Sequence, residues 1–338
     1  MIRPSSPLTM LLSRHTRRRE FITLLSGAVA WPLAASGQRP GMTPIGYLHP
    51  GSLSSQLRLL EIFRRILAET GYVEGRNLTV EYRFAEGKYD ALPQLAADLM
   101  RGQVRVIVAP TTPAALAAKS ATLTIPIVFS TSDDPVGLGL VASFARPGGN
   151  ATGIHFFQSA LAVKQLGLLR DLLPQAARIG LLINPENVNA DAVTKQMAAA
   201  ASSLGLTIDL VLRAKSQSDI ETAFATFSHN RVDALLCNND PFFFTRRLQM
   251  ATLASRHAIP AIYPGREYAE VGGLMSYGTS LTEVHRQIGT YTARILKGDK
   301  PADLPVVQST KLEFVINLPT ARALASPCRR LCSRAPTR

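Results

Sequence analysis

The sequence predicts an α/β protein built as two Rossmann-like lobes joined by a multi-strand hinge. Three observations lead there. Apolar, β-rich runs alternate with helical patterns from residue 44 to residue 296, which is the rhythm of parallel βα units. A cluster of turn formers, Ala145-Arg146-Pro147-Gly148-Gly149-Asn150, interrupts the rhythm near mid-chain, and the same rhythm restarts beyond it. The chain behind its leader is about 300 residues long, more than one hydrophobic core usually organises.

Taken in order, Pro44 to Leu48 reads as the first strand and His49-Pro50-Gly51-Ser52 as a turn. Gln56 to Thr70 follows as a helix, with Leu59, Ile62, Phe63, Ile66 and Leu67 on one face. Strand 78–82, helix 89–100 and strand 104–109 continue the pattern. Thr111-Thr112-Pro113 opens a helix running to Lys119, because threonine caps and proline is tolerated in the first turn. Strand 125–130 completes the first lobe, and Ala151 to His155 continues as an extended segment. The second lobe then reads as helix 161–173, strand 179–183, helix 190–204, strand 207–212, helix 220–227, strand 234–237, helix 243–257 and strand 261–263. Gly272-Gly273 turns the chain into Leu274 to Tyr277, and Leu281 to Leu296 forms a long amphipathic helix stopped by Lys297-Gly298. These added elements imply that the chain crosses between lobes more than once. A cleft built this way closes by hinging.

The first forty residues have a separate job. Arg17-Arg18-Arg19-Glu20-Phe21-Ile22 precedes an uncharged run from Thr23 to Ala35 and the small residues up to Gly37. Basic block, short apolar core and small-residue site make a signal peptide over 1–37, and Arg18-Arg19-x-Phe21-Ile22 has the twin-arginine form. The apolar core falls short of the roughly 20 residues a membrane span needs. Cleavage near Gly37 and a periplasmic mature protein are expected, with the twin-arginine export machinery as a partner.

A formal net charge of +13 raises nucleic-acid binding as a class. Most of that charge sits in the leader and in Arg329, Arg330, Arg334 and Arg338 of the tail, and the body has no dense basic run interleaved with aromatics. Nucleic acid is therefore excluded as a partner. With 46% hydrophobic against 18% charged residues, the chain has ample material for two cores. Of the three cysteines, Cys237 ends an apolar run and reads as an inert buried thiol. Cys328 and Cys332 sit in the basic tail as a lone C-x3-C, compatible with a disulfide and poor evidence for zinc. No metal and no cofactor are assigned.

Several motifs together carry a family resemblance: Tyr47-Leu48-His49-Pro50-Gly51, Asp134-Pro135-Val136-Gly137-Leu138-Gly139, Arg146-Pro147-Gly148-Gly149-Asn150-Ala151-Thr152-Gly153, Gly272 to Gly278, and Leu296 to Pro305. In this order, from about residue 42 to 324, the chain resembles the ABC-transporter substrate-binding proteins of the tryptophan/tyrosine-type group. The resemblance implies a type I periplasmic-binding-protein fold with three crossover strands, Lys311 to Asn317 fitting the third, and one ligand closed between the lobes. It sets the N-terminal lobe at 42–157 plus about 278–310 and the C-terminal lobe at 158–277 plus about 311–325. The atypical basic tail is 326–338. After Leu324 the pattern departs, since Ala325-Ser326-Pro327-Cys328-Arg329-Arg330 stands where relatives have an apolar turn and an acidic end.

In open α/β sheets ligands settle beyond the carboxyl ends of strands, so the loops there hold the candidates. Thr111 and Thr112 begin a helix whose free amides and positive dipole end favour a carboxylate; capping alone is the plainer role, and the two are compatible. Asn238, Asn239 and Asp240 stand at the corresponding place in the second lobe. Asp240 is suited to an ammonium group and the asparagines to hydrogen bonding, with simple capping by Asp240 as the alternative. Tyr47, His49 and Ser52 follow the first strand, where Tyr47 either stacks on a planar group or packs at the core edge. Ser130 and Asp134 follow the strand from Ile125, and Asn184 and Tyr263 end two strands of the second lobe.

Catalytic signatures are weak. Gly137-Leu138-Gly139-Leu140-Val141-Ala142 matches a loose dinucleotide pattern, but Asp133-Asp134-Pro135 separates it from its strand. There is no P-loop, nucleophile elbow or H-E-x-x-H. The expected function is a non-enzymatic solute-binding component of an ABC importer, monomeric, delivering an amino acid or similar metabolite to a permease in the inner membrane. A ligand sensor feeding a signalling receptor is the alternative, and a doubly wound enzyme comes after it.

Overall fold

A computed structural model describes residues 41–156 and 159–324. The leader, the boundary at 157/158 and the tail with Cys328 and Cys332 lie outside the described residues. Two six-stranded sheets carry the fold.

The first sheet has the order β11-β5-β4-β3-β1-β2, all parallel. Its strands are β1 (Thr43–His49), β2 (Leu78–Phe84), β3 (Ile107–Ala109), β4 (Ile127–Thr131), β5 (Ala151–His155) and β11 (Val307–Gln308). Helix α1 (Leu53–Glu69) covers one face together with α10 (Leu281–Leu296), and α2 (Leu92–Arg101) and α3 (Thr112–Ala121) cover the other. Sheets covered on both sides bury their inner strands, and β1, β3, β4 and β5 are accordingly buried along all or nearly all of their length, Thr152 and His155 of β5 included. Helix α1 starts at Leu53, earlier than its apolar spacing indicates, because the Ser52 hydroxyl accepts the Ser55 N–H and caps it.

The second sheet has the order β12-β10-β9-β8-β6-β7. It comprises β6 (Arg178–Ile183), β7 (Thr207–Arg213), β8 (Ala234–Cys237), β9 (Ala261–Tyr263), β10 (Met275–Thr279) and β12 (Leu312–Ile316). Only β12 runs antiparallel, beside β10. Helices α4 (Ser159–Leu172) and α5 (Ala190–Ser203) lie over one apolar cluster, and α6 (Gln217–His229) and α8 (Arg247–Arg256) over the other. The expected single helix 243–257 is two helices, α7 (Pro241–Thr245) and α8, broken at Arg246, whose guanidinium folds back to 3.9 Å over the Phe242 ring. A short α9 (Arg266–Glu270) and α11 (Leu318–Ala323), capped by Asn317, finish the lobe. Buried Cys237 is a free thiol whose pKa is pushed up by burial, which disfavours the thiolate.

The chain passes between the sheets three times: after β5, between β10 and α10, and between β11 and β12. The last two passages are tied by the Ser280 N–H on the Lys311 carbonyl at 2.9 Å. Two Rossmann-like lobes joined by a multi-strand hinge is thus the observed architecture. Among the described residues no helix is long and apolar enough to cross a membrane.

Candidate functional site

The carboxyl ends of both sheets face a shared cavity that is partly open to solvent. The first lobe contributes His49 at the end of β1, Thr111 and Thr112 at the start of α3, Ser130 near the end of β4, and Asp133 beyond it. The second lobe contributes Asn187, Asn239, Asp240 and Phe244. Phe156, Leu281 and His285 supply the wall beside the first two passages between lobes.

Thr111 caps α3 through the Ala114 N–H, leaving the helix start with its dipole aimed at the cavity. Thr112 Oγ1 lies 2.7 Å from both Thr131 Oγ1 and Asp133 Oδ2. The carboxylate can only accept, so Thr112 donates to Asp133 and Thr131 donates to Thr112. Ser130 is turned away, its hydroxyl donating to the Pro110 carbonyl at 2.9 Å.

Asp240 is 1% exposed and caps α7 through the Phe242 N–H. Its Oδ1 also takes the Tyr89 hydroxyl at 2.8 Å and Asn184 Nδ2 at 3.0 Å, and its Oδ2 takes Asn187 Nδ2 at 3.1 Å. The amide orientations are fixed, since Asn184 Oδ1 accepts from Glu186 N–H and Asn187 Oδ1 from Asn189 N–H. Every neighbour is therefore a donor, the arrangement an ionised carboxylate requires. Burial, the largest influence, holds its pKa above the usual carboxylate range, and the hydrogen bonds from Asn184, Tyr89, Phe242 and Asn187 offset that only in part. Among the described residues no cation pairs with it.

Two histidines face the first lobe's side of the cavity in opposite tautomers. His49 Nδ1 accepts the Gly51 N–H at 2.9 Å, so in the neutral ring the proton sits on Nε2. His285 Nδ1–H donates to the Leu281 carbonyl at 3.0 Å, leaving Nε2 to accept the Tyr47 hydroxyl at 3.4 Å. Burial, reinforced for His49 by the neighbouring His285, lowers His49 to about 3, and burial lowers His285 to about 4. Among the described residues lining this cavity, Asp133 and Asp240 are the acidic side chains, and no lysine or arginine joins them.

Of the residues singled out in the sequence, His49, Thr111, Thr112, Ser130, Asn239 and Asp240 come together here. Tyr47 stands behind the wall, fully buried among Phe63, Tyr82 and Phe84. Ser52 is the α1 cap, and Asn184 supports Asp240 from within its own lobe. Asp134 is exposed, accepts the Val136 N–H, and lines an adjoining space beyond Asp133. Asn238 is buried with neither side-chain polar atom hydrogen-bonded, and Tyr263 stacks on Tyr268 at 4.8 Å inside the lobe. None of these six lines the main cavity. His285 and Phe156 carry no local sequence signal, because it is the passage of the chain between lobes that brings them to the wall.

The relatives agree with this architecture. A family model described as ABC transporter substrate binding protein matches residues 54–326. A tyrosine-binding protein of Clostridioides difficile (strain R20291) is 26% identical over 262 residues, 78% of this chain and 75% of that protein. The crystal structure of a conserved domain protein from Vibrio cholerae superposes with a TM-score of 0.80 at 26% identity, covering 87% of this chain and 99% of the other. A Streptococcus pneumonia ABC domain in complex with L-Trp gives a TM-score of 0.78 at 25% identity, over 88% and 99% of the two chains. The fold is that of a two-lobed type I periplasmic binding protein.

Proposed function

We propose that this chain, which belongs to the family of ABC transporter substrate-binding proteins, captures an amino acid between its lobes and presents the closed form to an inner-membrane permease of an importer. The observation that carries the reading is the cavity wall: a buried Asp240 carboxyl whose hydrogen-bond neighbours are all donors and which has no cationic partner among the described residues, set in a space that also holds a helix start and apolar Phe156, Phe244 and Leu281. An ammonium group would supply the missing charge at Asp240. A carboxylate would be met by the α3 start at Thr111 and Thr112 and by the Nε2–H of neutral His49. The apolar residues suit an aromatic or branched side chain, and the tyrosine-binding relative and the L-Trp complex favour an aromatic one.

Binding is conformational capture without bond chemistry: ligand shifts an open–closed equilibrium by its preference for the closed state. Export through the twin-arginine route, with cleavage near Gly37 and action in the periplasm, completes the proposal. Calorimetric titration and thermal shift of the mature protein against the twenty amino acids test it. L-Trp, L-Tyr or a branched amino acid is expected to raise Tm in a concentration-dependent way. No stabilisation by any of the twenty would overturn the reading.

A further inference from the structure

We propose that Tyr89 is a positioning residue that reaches across the cleft to hold Asp240 in its ligand-facing orientation, and so couples seating of the ligand to closure of the lobes. Tyr89 belongs to the first lobe, on the single 3-10 turn Tyr89–Ala91 before α2. Its ring packs against the apolar cluster under α2 and α3 and, at the same time, against the second lobe's cluster that holds Phe242 and Phe243. Its hydroxyl donates to Asp240 Oδ1 at 2.8 Å and accepts the Phe242 N–H at 3.2 Å. That amide can only donate, so it fixes the direction of the hydroxyl proton.

Asp240 has three other donors, and all three come from its own lobe. They travel with Asp240 when the cleft opens. Tyr89 is the one donor that separates. Among the described residues, one other side-chain hydrogen bond spans the lobes, Arg58 to Glu270 at 2.8 Å, and there the side chains are 54% and 36% exposed. Exposed pairs contribute little, whereas a hydrogen bond to a buried carboxylate is charge-assisted and strong. The closed state is therefore fastened chiefly at the residue proposed to meet the ligand's ammonium group, and the inference rests on that reading of the cavity.

The test is Tyr89→Phe, which keeps the ring and deletes the hydroxyl. L-Trp is the probe. The chain's single tryptophan, Trp31, lies in the leader, so in the mature protein the tryptophan emission, excited selectively over tyrosine, comes from the ligand alone. The variant is expected to release L-Trp about 10–100-fold faster with an on-rate within about twofold of wild type, and with the ligand-free Tm unchanged. A second measurement needs no ligand. With Cys328 and Cys332 replaced by serine, Arg58→Cys and Glu270→Cys are joined by a short bismaleimide at a rate that reports how often the cleft shuts. Tyr89→Phe is expected to slow that reaction about tenfold. An unchanged cross-linking rate overturns the latch, as does a fall in Tm and on-rate together, which would make Tyr89 a structural residue. If wild type does not bind L-Trp, the aromatic reading of the cavity is what fails, and the cross-linking rate still decides the role of Tyr89.

Discussion

Both lobes meet the cavity with the same device, the N-cap of the helix that follows the third strand. In the first lobe that position is Thr111 ahead of α3; in the second it is Asp240 ahead of α7, each with a proline within the next two residues. A hydroxyl cap satisfies an amide and leaves the helix start electropositive, while a carboxylate cap satisfies the same kind of amide and reverses the sign of the local field. Equivalent architecture thus gives the two walls opposite preferences. On the proposed reading, a zwitterion would fit between them in one orientation. Asp133, which takes the Thr112 hydroxyl proton, narrows the part of the first wall that would accept an anion to the Thr111 side.

The duplication also extends to the sheets, and the largest effects should come from breaking it. A Cβ on Gly153 of β5 would stand 2.0 Å from the Phe129 carbonyl oxygen, and one on Gly278 of β10 would stand 1.7 Å from that of Pro264. Both meet backbone, which cannot move aside as a side chain does. Gly153→Ala and Gly278→Ala should each abolish cooperative thermal unfolding followed by circular dichroism. If one survives, the lobes are less alike in packing than in topology.

Acidification should separate the walls next. His49 and His285 both belong to the first lobe's side, and among the described residues the second lobe brings no histidine to the cavity. Unfolded imidazoles take up a proton near 6.5, whereas the folded ones do so only at about 3 and about 4. Between those limits the unfolded state binds more protons, so stability rises with pH and is lost as pH falls below about 6.5. Each ring contributes at most about 1.4 kcal/mol per pH unit in that window. Tm is expected to drop by several degrees from pH 7 to pH 5, and replacing His285 by glutamine should flatten the curve.

Smaller again is the contrast between the caps themselves. Asp240→Asn keeps a capping oxygen for Phe242 but removes the charge and sets an NH2 group against the Asn187 Nδ2 donor, and should weaken amino-acid binding about 100-fold with a modest fall in ligand-free Tm. Thr111→Ala should cost about 1 kcal/mol of stability and only a few-fold in affinity. Titration calorimetry reads both. Equal losses in affinity would end the idea that the walls have opposite tasks.

The fold was legible because parallel βα units announce themselves: strands buried on both faces are apolar runs, and helices between them carry one apolar stripe, as with Leu59, Phe63, Ile66 and Leu67 of α1. What escaped was set by distant contact. Strand β11 is two residues long and exists by pairing with β5, and α9 is a single turn and a half with no sequence pattern of its own. The site was half legible for the same reason. Strand ends pointed to Thr111 and Asp240, but nothing local tells that Tyr47, two residues before His49 on the same strand face, sits one layer deeper. Nor does any local signal join Tyr89 to Asp240, because their meeting depends on how the lobes come together.

The three passages between lobes are short, and the last two are laced by Ser280 and Lys311. Such a joint permits swinging and resists sliding. If the lobes swing as proposed, Phe156 and Leu281, next to the pivot, would move least, and an arriving solute would find them already in place whether the mouth is wide or narrow. First encounter should happen at this fixed rear surface, with selection by charge following as the far wall arrives.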